Sequence, residues 1–470
     1  MGTDSEKMRA VRAAGANRAD CSRALSKTHL TGFIILFALI ISEALFFVHG
    51  YMLPAFRGAA AFEYTGVWNG VGQVVSLVPS VPLLRRAAGA LVMQLCCAAA
   101  VFTCLFTCRV LKVRSRLCAA AVCSLVLFFP AMSAGVLSTG LTYSLSLLCA
   151  SAGVWMLGSR KKIGNVAAAV LMFLCMAFYA PNVSVILSLY LVCAALDSVS
   201  RDGDHRRRIG RDAAVFGIAA AAVLCATVLK YRFGDYSGIL LFSKLSEMSA
   251  FDWFHSVAAS YTHFLRFCFG HLYLRGSYLL KAVILVWAVL SAAVFAFVTV
   301  PMLKKKSSRK KAVYALVCVA ALPLFMSLAD FISNDGDRAF QNAFAYVLPF
   351  AAGAVLWERL EIRLRPVKKS RRFTHARIAC AVCAASFILA CACASGVYSS
   401  VSAQIKAYAT ELRNEGEDEE AAVIIAANAP TYYDDNGRPF VFPAGYRADS
   451  VADAACSNTE DIAFFRGSGS

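Results

Sequence analysis

Charge is what this sequence has least of. Only 16% of its 470 residues are Asp, Glu, Lys or Arg, while 59% are hydrophobic. That balance excludes a soluble domain, which has no means of burying so much apolar surface, and the apolar runs near twenty residues match the thickness of a hydrocarbon core. Acids are scarcer than bases, 29 against 47, for a net charge of +18. In a soluble protein such an excess would point to nucleic acid. Here the cations cluster between hydrophobic runs, and no nucleic-acid partner is expected. Cysteines are numerous at 18, but pairs are missing. Most, such as Cys96, Cys97, Cys104, Cys123, Cys149, Cys193, Cys225, Cys380 and Cys391, lie in apolar runs and read as small packing residues. Cys268 and Cys456 alone fall in segments expected outside, which makes no disulfide framework, and the CxxC of Cys380 and Cys383 has no second ligand pair nearby. A repeat relating one half of the chain to the other is also absent, which argues against a transporter built from inverted repeats.

What is present is a series of about eleven apolar spans: 31–49, 87–108, 117–129, 141–157, 164–180, 183–197, 213–230, 279–303, 312–331, 339–357 and 376–400. Pro181-Asn182, between the fifth and sixth, predicts a tight hairpin, because proline lacks a donor and disfavours a helical residue before it. The first thirty residues carry six cations ahead of an uninterrupted span, which reads as an uncleaved signal anchor. The expected fold is an all-α polytopic membrane protein. Its parts are a basic cytoplasmic tail (1–30), a transmembrane domain (31–401) and a small extracytoplasmic α/β segment (402–470).

The cations set the orientation. With the N-terminus inside, the inner segments hold 32 of the 47 Lys and Arg. Every inner loop is then basic, as the positive-inside bias requires. The run KKKSSRKK (304–311) reads first as an anchor for two helix ends, although such a cluster also suits anionic head groups. Outside lie 50–86, the aromatic and basic stretch 231–278, the short acidic turn 330–338 and the C-terminal tail. Within 231–278, aromatics interleaved with His and Arg predict an interfacial or re-entrant helix. The tail holds twelve acids and five bases, and AAVIIAANAP (421–430) reads as a buried strand before a turn at NGRP.

The stretch 43–73 stands out. Glu43 lies inside an apolar helix, where a carboxylate costs roughly 3 kcal/mol on insertion scales and tends to be functional. His49, Arg57, Glu63 and Trp68 follow in the loop beyond. On the orientation above, this stretch faces outward.

At 176–195 the chain reads MAFYAPNVSVILSLYLVCAA, with FFPAMSAG (128–135) and STGLTY (138–143) before it. This pattern resembles the YQ-x-x-x-S hairpin of the GtrII-like O-antigen glucosyltransferases of bacteria and phage. The sequence departs from that pattern at Ala180-Pro181, where Gln is expected after Tyr179, and in having Glu63 alone where paired acids often follow the first span. The resemblance implies a hexosyltransferase of the bacterial inner membrane, working at its outer face. The donor would be a polyprenyl-phosphate-linked sugar and the acceptor a surface glycan or glycolipid. Membrane lipids would surround the chain, and a donor-synthesising transferase and a flippase would serve it.

Such a transfer needs a base for the acceptor hydroxyl and cations for the departing phosphate. Glu63, beside Phe62, Tyr64 and Trp68 that would stack on a sugar, and the deeper Glu43 are the base candidates; each also reads as an ordinary solvated or paired carboxylate. Arg338, Arg266 and Arg57 are candidates for the phosphate, with His49 at the interface. Arg338 equally suits a salt bridge to Asp335 or Asp337, the pair that would hold a divalent cation were one used; no cofactor is otherwise expected. Two rival functions remain at this stage. A polymerase or ligase would work through Arg266, His263, His271 and Arg275, and a lipid-sugar flippase would move its substrate without modifying any glycan.

Overall fold

The computed structural model describes residues 28–42, 82–129, 131–132, 141–158, 162–199, 209–233, 250–269, 278–328 and 340–364, short pieces within 378–389, and three strands between 431 and 447. Helix α1 covers Thr28–Ser42. Then come α2 (Pro82–Val110), α3 (Arg116–Phe128), α4 (Leu141–Leu157), α5 (Lys162–Phe178), a 3-10 turn Ala180–Asn182, and α6 (Val183–Val199). They are followed by α7 (Ile209–Phe233), α8 (Ala250–Phe269), α9 (Tyr278–Lys304), α10 (Lys306–Met326), a 3-10 helix Phe340–Val347, and α11 (Leu348–Leu364). Strands β1 (Thr431–Tyr433), β2 (Pro439–Val441) and β3 (Tyr446–Arg447) form a small antiparallel sheet in that order. The expected strand at 421–430 lies outside the described residues.

Among the described residues, two helical stretches are long and apolar enough to cross a membrane by themselves, Ala180–Val199 and Ala282–Lys304. Shorter apolar helices accompany them, and the chain is compatible with a membrane protein. The two long stretches differ in setting: the first is largely enclosed by other helices, while the second keeps Leu285, Val286, Val289 and Phe297 exposed.

α4 packs between α2 and α5, α5 against α7, α6 against α10, and α9 against both α10 and α11. The chain does reverse at Pro181-Asn182, but α5 and α6 then diverge to different partners and touch each other little. One continuous core runs through the bundle, from Ile34 and Cys96 to Phe344 and Val355. Small residues permit close approach. A Cβ on Gly353 of α11 would collide with the Ser291 side chain of α9. Nearby, the Trp287 indole donates to the Phe350 carbonyl (3.0 Å).

Two local departures from the sequence reading have clear causes. The expected span 339–357 is a 3-10 helix followed by an α-helix, because Pro349 has no N–H and its ring opposes the carbonyl four residues back. The expected loop 304–311 is mostly helix: α10 begins at Lys306, inside the basic run.

Candidate functional site

Two groups of polar side chains lie at opposite ends of the bundle's helices, apart from the buried hydroxyls such as Thr103 and Ser151 that bond to their own helix. At one end, called here the basic end, the turn 111–115 meets the final residues of α6 and α11. The turn closes α2 with Lys112 at φ 57°, in the left-handed position usually taken by glycine. The Lys112 and Val113 N–H groups donate to the Arg109 and Cys108 carbonyls. Asp197 is buried and receives the Lys112 ammonium on both oxygens, at 2.7 and 2.6 Å. Arg359 donates to the Leu196 carbonyl (2.6 Å) and the Leu111 carbonyl (3.1 Å), with Asp197 3.8 Å away. Burial lowers the Arg359 pKa, and the charge of Asp197 opposes that shift. The buried Glu358 carboxylate accepts from the Arg114 N–H (3.0 Å) and from that of Ser115, just ahead of α3. Ser115 in turn caps α3 by accepting from the Cys118 N–H. Beside this group, Arg211 donates to Asp212 and to the Leu157 carbonyl, and the Tyr190 hydroxyl donates to Asp212.

At the other end, the aromatic end, the side chains described in the hub are uncharged. Its hub is the 3-10 helix Phe340–Val347, which contacts the turn Ala180–Asn182, α6 and α10. Phe344 meets Phe129 edge-on with centroids 6.3 Å apart. Tyr346 shares a hydrogen bond with the Ser327 hydroxyl (3.0 Å) and an edge contact with Phe264 of α8 (6.2 Å). The Tyr261 hydroxyl donates to the Ala320 carbonyl of α10 (2.8 Å), three residues before Pro323. Across the hub, Tyr143 and Tyr179 stack edge-on at 5.2 Å, and the Tyr143 hydroxyl reaches the Ala131 carbonyl. The buried Ser146 hydroxyl donates to the Cys175 carbonyl (2.8 Å) and accepts from the Asn182 amide (3.1 Å).

Of the segments expected to do chemistry, 330–338 leaves and enters the described bundle around this second end, between 328 and 340. Of the candidates from sequence, Glu43, His49, Arg57, Glu63, Trp68, Asp335, Asp337 and Arg338 lie outside the described residues. Arg266 and His263 fall on α8, without a described side chain. Their helix is nonetheless fixed to the hub, since Phe264 lies two residues before Arg266. Ser146, Ser327 and Tyr346 carry no signal in the sequence, and Asn182 carries only that of a turn. Each is an unremarkable polar residue within or beside an apolar run, and only their convergence from four elements reveals them.

Apolar helices joined by basic turns, with an uncharged polar hub at one end, form a helical bundle compatible with a membrane protein. The sequence model of the family Glucosyl transferase GtrII matches residues 86–356. The match covers more than half of the chain, which belongs to this family and is a glycosyltransferase. No curated protein and no solved structure matches it. The matched region opens in α2 and closes in α11, so it contains the aromatic end, the basic end apart from Glu358 and Arg359, and Arg266, Asp335, Asp337 and Arg338. Glu43, His49, Arg57, Glu63 and Trp68 precede it.

Proposed function

We propose that this protein moves a hexose, glucose by the family's name, from a polyprenyl-phosphate donor to a surface glycan or glycolipid. The reaction takes place on the outer face of a bacterial inner membrane. The observation that carries this reading is the family match over 86–356, which spans the helices around the aromatic hub. The basic turns support an inward basic end, and the hub then faces outward.

The chemistry follows from the groups available. Glu63, or Glu43 below it, removes the acceptor hydroxyl's proton as that oxygen attacks the anomeric carbon. The bond from that carbon to the phosphate oxygen breaks, and polyprenyl phosphate leaves with the electron pair. Arg338, Arg266 and Arg57 stabilise the departing phosphate through charge-assisted hydrogen bonds. Trp68 and His49 border the sugar, and Asp335 and Asp337 hold Arg338 in place. The contact of Phe264 with Tyr346 supports a shared role for Arg266 and Arg338, because it ties α8 to the element that follows Arg338. The donor arrives from a separate transferase and a flippase.

Structural analysis of the host's surface glycan with and without the gene tests the proposal. One side-branch hexose is expected to vanish in the deletion and to return with the wild-type chain but not with Glu63→Gln. A glycan of unchanged composition but altered chain length would favour polymerisation or ligation through Arg266 and His263.

A further inference from the structure

The cations of the basic end are of two kinds. Lys112, Arg211 and Arg359 are committed to carboxylates or backbone carbonyls, and Arg109 lies over the Trp155 ring at 5.4 Å. Lys304, Lys305, Lys306, Arg309, Lys310 and Lys311 are all exposed. Among the described residues none of the six makes an ion pair or a side-chain hydrogen bond. They occupy eight consecutive positions where α9 hands over to α10, and no acid lies among them. The Ser308 hydroxyl is turned inward to the Met302 carbonyl (2.9 Å), so the backbone of the junction is tied while its cations remain free.

So many like charges in so short a stretch repel one another, and mobile salt relieves this only diffusely. The surface beside them is apolar. Within about two helical turns, α9 exposes Phe297 and Val300, and α10 exposes Val313, Leu316 and Val317. Concentrated positive charge continuous with an apolar flank complements an amphiphile with a negative head. A soluble polyanion would use the charge and gain nothing from the flank.

We propose that the α9–α10 junction is a binding site for anionic phospholipid, with head-group phosphates on the six cations and acyl chains along the exposed flank. The site rests on the reading of the chain as membrane-embedded. It has no part in sugar transfer.

The test is native mass spectrometry of the full chain released from nanodiscs of phosphatidylcholine mixed with phosphatidylglycerol, with the retained lipids counted. Wild type is expected to retain phosphatidylglycerol well above its share of the bilayer. R309Q/K310Q/K311Q is expected to lower that preference about fivefold or more, as follows from roughly 1 kcal/mol per cation near an anionic surface. R114Q/R116Q/K162Q removes three exposed cations that are spread over two separate turns instead of crowded on one head-group site, and is expected to change it less than about twofold. Circular dichroism matching the wild type shows that each variant is folded. An unchanged preference in the junction variant overturns the site, as does an equal loss in the control variant or displacement of the lipid by soluble polyphosphate. A wild-type chain that does not enter nanodiscs overturns the membrane reading together with the site. One that enters without lipid preference overturns the site alone.

Discussion

The two ends of this bundle solve the problem of buried polarity in opposite ways. At the basic end, full charges meet full charges or helix-terminal carbonyls: Asp197 holds Lys112, Arg359 grips two backbone oxygens, and Glu358 takes two N–H groups. At the aromatic end, hydroxyls, an amide and ring edges satisfy one another, with no ion pair among the described residues. Charged contacts in a low-dielectric interior are unforgiving, because a partner's loss strands the charge that remains. Neutral contacts are individually weaker and tolerate rearrangement. The difference teaches where movement is affordable. A glycosyltransferase that admits a donor and an acceptor needs one end that stays closed and one that yields.

The largest effect is expected from Arg359→Met. It leaves the Leu111 and Leu196 carbonyls without their charged donor and removes a second cation from beside Asp197, which keeps Lys112, so it should cost about 3 kcal/mol, read as reduced resistance to denaturant in detergent. Turnover per folded molecule should be unaffected. A large loss of turnover without loss of stability would break the comparison, because it would place chemistry at the basic end. Glu63→Gln should do the reverse, lowering turnover about 100-fold or more through loss of a general base while leaving stability within about 0.5 kcal/mol. If Glu43→Gln alone removes activity, the base is the deeper carboxylate. Gly353→Ala drives a methyl group into Ser291 and should cost about 2 kcal/mol by overpacking. The companion Ser291→Ala should recover part of that cost, as a double-mutant cycle will show. The smallest effect is expected from Tyr346→Phe, which leaves the buried Ser327 hydroxyl without its partner and should cost about 1 kcal/mol. Because the ring contact with Phe264 survives this change, turnover should fall only a few-fold. Tyr346→Ala, which removes that contact as well, should lower turnover further.

Much of the architecture was legible in advance, for a simple reason. Helices α2 to α7, with α9 and α10, follow apolar runs whose limits are mostly marked by Arg, Lys or Pro, and these are local signals, while α8 lies in the stretch 231–278 read as an interfacial or re-entrant helix. The 3-10 helix at Phe340–Val347 was not legible, since apolar periodicity over one or two turns looks alike in both helix types and only Pro349 hinted at the break. The start of α10 was missed because a basic run reads as a loop, whereas Lys and Arg are good helix formers. The candidate site was less legible. Asp197 looks like the last residue before a basic loop, and nothing near it in sequence announces Lys112, 85 positions earlier. The bond from Asn182 to Ser146 spans 36 positions and joins two elements that the hairpin reading treated separately. Pairings of this kind depend on how helices are arranged, and an isolated apolar run carries no record of its neighbours.

Arg359 reaches the main-chain oxygens of Leu111 and Leu196 and touches neither residue through its side chain's identity. Any amino acid at those two positions offers the same acceptor. Mutational drift there therefore leaves the fastening intact, whereas every replacement of Arg359 itself removes it. The asymmetry concentrates selection for the fastening on one codon out of three, and a screen should find 111 and 196, both buried, open to exchange among apolar residues beside an intolerant 359.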